Sequence, residues 1–163
     1  MNRVLFTLIL VFTTQTLAQQ KLPDSTAILK TNLGEIRIKL RADIAPNTVT
    51  HFSDLAKGNK EFRDAISGRT IANTPFYKKL TFHRIHPKLG IFTGCQWGTG
   101  HGWPGSTIPF EKQPDSIKFD RPFLAGFSTI PGRPNTGGSQ FFITTKPQPE
   151  SVSYTHLTLP TKA

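Results

Sequence analysis

Short alternating runs of apolar and polar residues dominate the chain after its first two dozen positions. Residues 27–30 (Ala27, Ile28, Leu29, Lys30) form an apolar strand, and Asn32, Leu33 and Gly34 follow as a turn. In residues 35–41, Ile36, Ile38 and Leu40 alternate with Arg37, Lys39 and Arg41, the period of a half-buried strand, so the pair reads as a hairpin. From Asn47 the period changes. Val49, Phe52, Leu55 and Ala56 share one helical face, with Asn47 placed to cap the start and Gly58 to end the helix in the left-handed conformation.

Residues 60–73 are charged and poorly periodic, and read as a surface insertion whose purpose the sequence does not disclose. Further strands are predicted over 80–86, 91–93, 123–128 and 140–144. Between the second and third of these, Gly94, Gly98, Gly100, Gly102 and Gly105 dictate an irregular loop. Many short strands with one clear helix predict an all-β protein, a barrel or sandwich.

The start of the chain has a different character. Arg3, the apolar run 4–12 and the small-residue site Thr16, Leu17, Ala18 form the pattern of a secretory leader over residues 1–18, with Gln19 the first residue of an exported, periplasmic or secreted protein. A membrane anchor needs a run of roughly 18 or more apolar residues, and Thr13, Thr14, Gln15 and Thr16 interrupt this one. No membrane association is expected once the leader is removed.

The net charge of +10 raises the question of a polyanionic partner. The Lys and Arg residues are scattered singly rather than gathered in a stripe, which describes a solvated basic face and not a nucleic-acid surface. Cys95 is the single cysteine. It can form no disulfide within the chain, and packs most naturally as a buried small apolar residue.

The chemistry concentrates in two segments. Phe82, His83, Arg84 and Ile85 open one strand; Pro134 to Phe142 run from an Asn-Thr-Gly-Gly turn through Ser139 and Gln140 into the aromatic strand that begins Phe141, Phe142. With the Gly-rich loop between them, in this order and spacing, the chain resembles the cyclophilin-type peptidyl-prolyl isomerases from about Thr26 to Glu150. That resemblance implies a closed eight-stranded antiparallel barrel with capping helices and a groove on its outer face, acting as a monomer on Pro-containing polypeptides. It also implies catalysis of Xaa-Pro isomerisation without a cofactor. Arg84 matches the catalytic arginine, and Phe142, Gln140, Leu89 and Phe92 fall at substrate-binding positions.

Departures from the family pattern bear on the groove. Phe92 stands where Gln is common, and Ile130 and Pro131 replace a small residue and an Asn. These changes motivate a second expectation, a catalytically weak module that binds Pro-containing segments. After Glu150 the resemblance stops: residues 151–163 match nothing in the pattern, so the final strands and helix of the barrel are expected to be absent. No metal site is expected, since His83 and His86 are three apart in a strand and point to opposite faces.

Overall fold

A computed structural model describes residues 25–114, 116–148, 155–156 and 158–159. The leader read from residues 1–18 lies outside them. Strands β1 (Ser25–Thr31) and β2 (Gly34–Leu40) form the expected hairpin, closed by a two-residue turn with Thr31 opposite Gly34. Ile38 and Leu40 point into the core, as the alternation requires.

Helix α1 (Pro46–Lys57) buries Val49, Phe52 and Leu55, and ends at Gly58 with φ 81°. Its start differs from the expectation that Asn47 caps it. Ala45 holds the cap position without a side-chain bond, and Pro46 opens the first turn, where its missing N–H costs nothing. The free N–H groups of Asn47 and Thr48 donate instead to the two carboxylate oxygens of Glu111, at 2.9 and 2.7 Å, and the Thr48 hydroxyl donates to the same carboxylate at 2.6 Å. A carboxylate at this end also meets the positive pole of the helix.

The insertion contains a hairpin of its own, β3 (Phe62–Arg63) with β4 (Thr70–Ile71). Downstream lie β5 (Arg84–His86), β6 (Gly90–Thr93), β7 (Ala125–Phe127), β8 (Phe141–Thr144), β9 (Thr155–His156) and β10 (Thr158–Leu159). Among the described residues three sheets result, with orders β1-β2-β10, β3-β4 and β5-β6-β8-β7-β9.

This corrects the expectation of an all-β, closed eight-stranded barrel. The fold is mixed α and β, with open sheets. Closure requires every strand to have a neighbour on each side, whereas among the described residues β1 and β5 each pair along one side only. The segment expected to contribute no strands supplies two: β9 pairs with β7 at the edge of one sheet, and β10 with β2 at the edge of another.

The two larger sheets nonetheless share one core. Ile38 and Leu40 of β2, Val49 and Phe52 of α1, Ala125 and Phe127 of β7, and Phe141 and Ile143 of β8 form a single buried cluster. Edge-to-face ring contacts tie it together, Phe52 against Phe141 at 5.6 Å and 90° and against Phe127 at 6.5 Å and 81°.

Candidate active site

The opposite face of the five-stranded sheet carries the second cluster, and the register explains how. Arg84 lies opposite Phe92, Phe92 opposite Phe142, and Phe142 opposite Gly126. Residues directly opposite in an antiparallel ladder project to the same side. A single row across β5, β6, β8 and β7 thus reads cation, ring, ring, glycine.

The guanidinium carbon of Arg84 sits 5.1 Å from the Phe92 ring centre. The Phe92 and Phe142 rings lie 5.6 Å apart, tilted by 40°, and Phe119 packs on Phe142 at 5.3 Å and 41°. Phe119 can do so because Gly126 has no side chain: a Cβ there would stand 2.6 Å from the Phe119 ring and 2.9 Å from the Phe142 ring. Leu124 completes this buried cluster and Leu89 packs against it.

Above the row runs a groove of about 950 Å³ lined by His83, Arg84, Phe92, Trp103, Ile130 and Gln140, among others. Arg84 is exposed and Phe92 nearly buried. Phe142 is fully buried and lies beneath the groove rather than on its wall. Leu89 likewise belongs to the supporting cluster and not to the lining. Of the five residues singled out from sequence, the structure brings Arg84, Phe92 and Gln140 to the groove surface and sets Phe142 and Leu89 behind it.

Gln140 anchors the Gly-rich loop. Its amide nitrogen donates to the carbonyls of Gly100 and Gly102 at 2.8 and 2.9 Å. The same loop begins at Gly94, whose φ of +87° and approach to the Ser139 carbonyl leave no room for a side chain; the Ser139 hydroxyl returns a bond to the Gly94 carbonyl at 2.7 Å. Cys95 lies buried under the loop, accepting from the N–H groups of Gly100 and Gly102, each at 3.2 Å. Burial pushes its thiol up, but the backbone N–H groups of Gly102, Thr99, Gly100 and Trp97 outweigh this and leave it below its ordinary value.

Two histidines frame the site. His83, beside Arg84, has its pKa lowered by burial and then by the Arg84 charge, with a Thr81 backbone bond opposing. His51 on α1 is lowered chiefly by burial. Its Nε2–H donates to the Gly138 carbonyl at 2.6 Å and its Nδ1 accepts from the Lys60 ammonium at 3.0 Å, an assignment fixed by the partners. His51 thereby ties the helix to the Gly-Ser-Gln turn. Among the described residues no three His, Cys, Asp or Glu side chains converge as a metal site.

Sequence reasoning missed Trp103, Phe119 and Gly126. Trp103 alone had a local signal, a large aromatic residue inside a glycine-rich loop.

An exposed cation on an aromatic shelf beside an open groove, carried by this order of motifs, defines a class of protein. The chain belongs to the cyclophilin-type peptidyl-prolyl cis-trans isomerase/CLD family, which it matches over residues 26–158. It is 40% identical over 125 residues to peptidyl-prolyl cis-trans isomerase A of Mycobacterium tuberculosis (strain ATCC 25618 / H37Rv), an alignment covering 76% of this chain and 65% of that protein. It is 42% identical over 125 residues to a peptidyl-prolyl cis-trans isomerase of Synechococcus elongatus, covering 76% of this chain and 70% of that one. The chain thus spans about two thirds of the length of these relatives. A crystal structure of a Cryptosporidium parvum cyclophilin type peptidyl-prolyl cis-trans isomerase, determined in the presence of the dipeptide Ala-Pro, superposes with a TM-score of 0.67 at 26% identity, covering 85% of this chain and 80% of that one.

Proposed function

We propose that this chain is a peptidyl-prolyl cis-trans isomerase acting, as a monomer, on Pro-containing segments of exported proteins. The observation that carries the catalytic reading is the placement of Arg84, solvent-accessible at the groove and held over the Phe92 ring at 5.1 Å.

An amide resists rotation by about 18–20 kcal/mol because its nitrogen lone pair is delocalised, and an Xaa-Pro bond turns over in tens to hundreds of seconds unaided. At the twisted midpoint the lone pair returns to nitrogen. A guanidinium donor aimed at the prolyl residue bonds that localised pair and has little to bond in either planar form, so it stabilises the midpoint selectively. The shelf of Phe92 over Phe142 and Phe119 supplies an apolar seat for the ring and a low dielectric in which the charge counts for more. No nucleophile or redox group enters.

Export rests on the leader pattern of residues 1–18. A second reading, a module that binds Pro-containing segments with little turnover, is favoured by one observation: the nearly buried Phe92 ring offers no hydrogen-bonding group where the family commonly has Gln.

A protease-coupled isomerisation assay on Xaa-Pro peptides separates the two. The parent is expected to accelerate isomerisation and Arg84→Ala to lose about 10²-fold or more in kcat/KM. Equal rates for the two proteins would refute the catalytic role. Binding without acceleration by the parent would establish the second reading. Fusion of residues 1–24 to a reporter tests export.

A further inference from the structure

The groove is larger than a proline ring requires. Its volume of about 950 Å³ lies toward the top of the range for sites that enclose whole small ligands. Two of its lining residues are large, apolar and half exposed, Trp103 at 53% and Ile130 at 55%. What singles these two out is that both exposed surfaces line the same groove, where an occupant would meet them.

Trp103 also stands on unusually fixed backbone. On one side, Gly102 donates its N–H to Cys95 and gives its carbonyl to Gln140. On the other, the Pro104 carbonyl accepts from the N–H of Arg63 in β3 at 2.8 Å. Gln96 binds the whole arrangement to the inserted hairpin: its Nε2 donates to the Arg63 carbonyl at 3.0 Å and to the Trp103 carbonyl at 3.5 Å, while its Oε1 accepts from the N–H of Ala65 at 2.8 Å. The β3-β4 hairpin is therefore a buttress for the loop that carries Trp103.

We propose that Trp103 is a specificity-determining residue of the groove, taking a large apolar or aromatic side chain that flanks the proline, and that Gln96 and the β3-β4 hairpin are its positioning device. The inference rests on the reading of the groove as a prolyl-peptide site. A ring carried on fixed backbone has less freedom to lose on binding than one on a mobile loop, which favours its use as an anchor. Ile130 adds a second apolar contact to the same groove.

The test measures dissociation constants by calorimetry for the full chain with glycine-rich peptides containing one Ala-Pro, in which Phe occupies each flanking position in turn. One Phe placement is expected to bind about tenfold tighter than the peptide without Phe. Trp103→Ala should abolish that gain, Trp103→Phe should keep part of it, and Gln96→Ala should reduce it. A change in fold stability alone would weaken all the peptides together and leave the ratio intact.

A gain that survives Trp103→Ala overturns the proposal, as does the absence of any gain or of any binding. Arg84→Ala read in parallel separates the two claims. A parent that keeps the Phe preference in binding but shows no isomerisation rate refutes the catalytic reading and leaves this one standing.

Discussion

Arg84 and Phe92 face each other across the β5-β6 ladder, and the guanidinium carbon of the first lies 5.1 Å from the ring centre of the second. The ring therefore positions the cation as well as flooring the groove. Phe92→Leu keeps most of the burial and removes the π face. We expect a loss of about 1 kcal/mol in stability and a several-fold fall in kcat with KM nearly unchanged, because the guanidinium loses its rest position while the apolar seat remains. Steady-state kinetics beside urea unfolding measures both, and an unchanged kcat would show that Arg84 needs no such support.

Gly126 sets how deep the aromatic shelf can sit. A methyl group there would collide with Phe119 at 2.6 Å and Phe142 at 2.9 Å, both fully or almost fully buried. Gly126→Ala should cost about 1–3 kcal/mol by overpacking and weaken peptide binding by lifting Phe142 toward the groove. Urea midpoints and peptide titration report the two effects; a variant as stable as the parent would mean the cluster has room the geometry denies.

Glu111 caps a helix from far along the chain. Its carboxylate accepts from the N–H groups of Asn47 and Thr48 and from the Thr48 hydroxyl. Glu111→Ala should destabilise the protein by about 1–2 kcal/mol, and Glu111→Gln by less, since one acceptor survives. An unshifted urea midpoint for the Ala variant would contradict the capping role.

His51 makes stability depend on pH. Its folded pKa is lowered from 6.5, first by burial and then, against the pull of the Gly138 carbonyl, by the Lys60 charge, with Asp54 opposing. As pH falls below about 6.5 the unfolded chain takes up the proton first, so stability is full above that value and declines as pH drops through the folded pKa. His83 is lowered too and adds to the same slope. The urea midpoint should fall from pH 8 to pH 5.5, with a shallower decline in His51→Asn; an identical slope in both proteins would remove His51 from the account.

The legible parts of the sequence are those decided locally. The β1-β2 hairpin was readable from the alternation of Ile36, Ile38 and Leu40, and the end of α1 from Gly58, because period and turn chemistry act over a few residues. The helix start was not, since its cap arrives from Glu111. Arg84, Phe92 and Phe142 could be marked from motifs, yet their alignment in one row with Gly126, and the packing of Phe119 on it, depend on strand register between distant segments. The β3-β4 hairpin has two-residue strands, too short to show a period. Closure of the barrel follows from the resemblance alone and fails because, among the described residues, β1 and β5 each pair along one side only.

The order β5-β6-β8-β7 has a consequence for how the molecule is made. β8 lies between β6 and β7, both of which precede it in the chain. During synthesis β6 and β7 emerge as separate strands, each with an edge waiting for a partner and each bearing residues that end up deeply buried, Phe92 and Phe127 among them. Only when Phe141–Thr144 inserts does the ladder join, and non-local insertion of this kind is a slow, aggregation-exposed step. The aromatic row under the groove therefore cannot be complete before the strand that carries Phe142 has arrived.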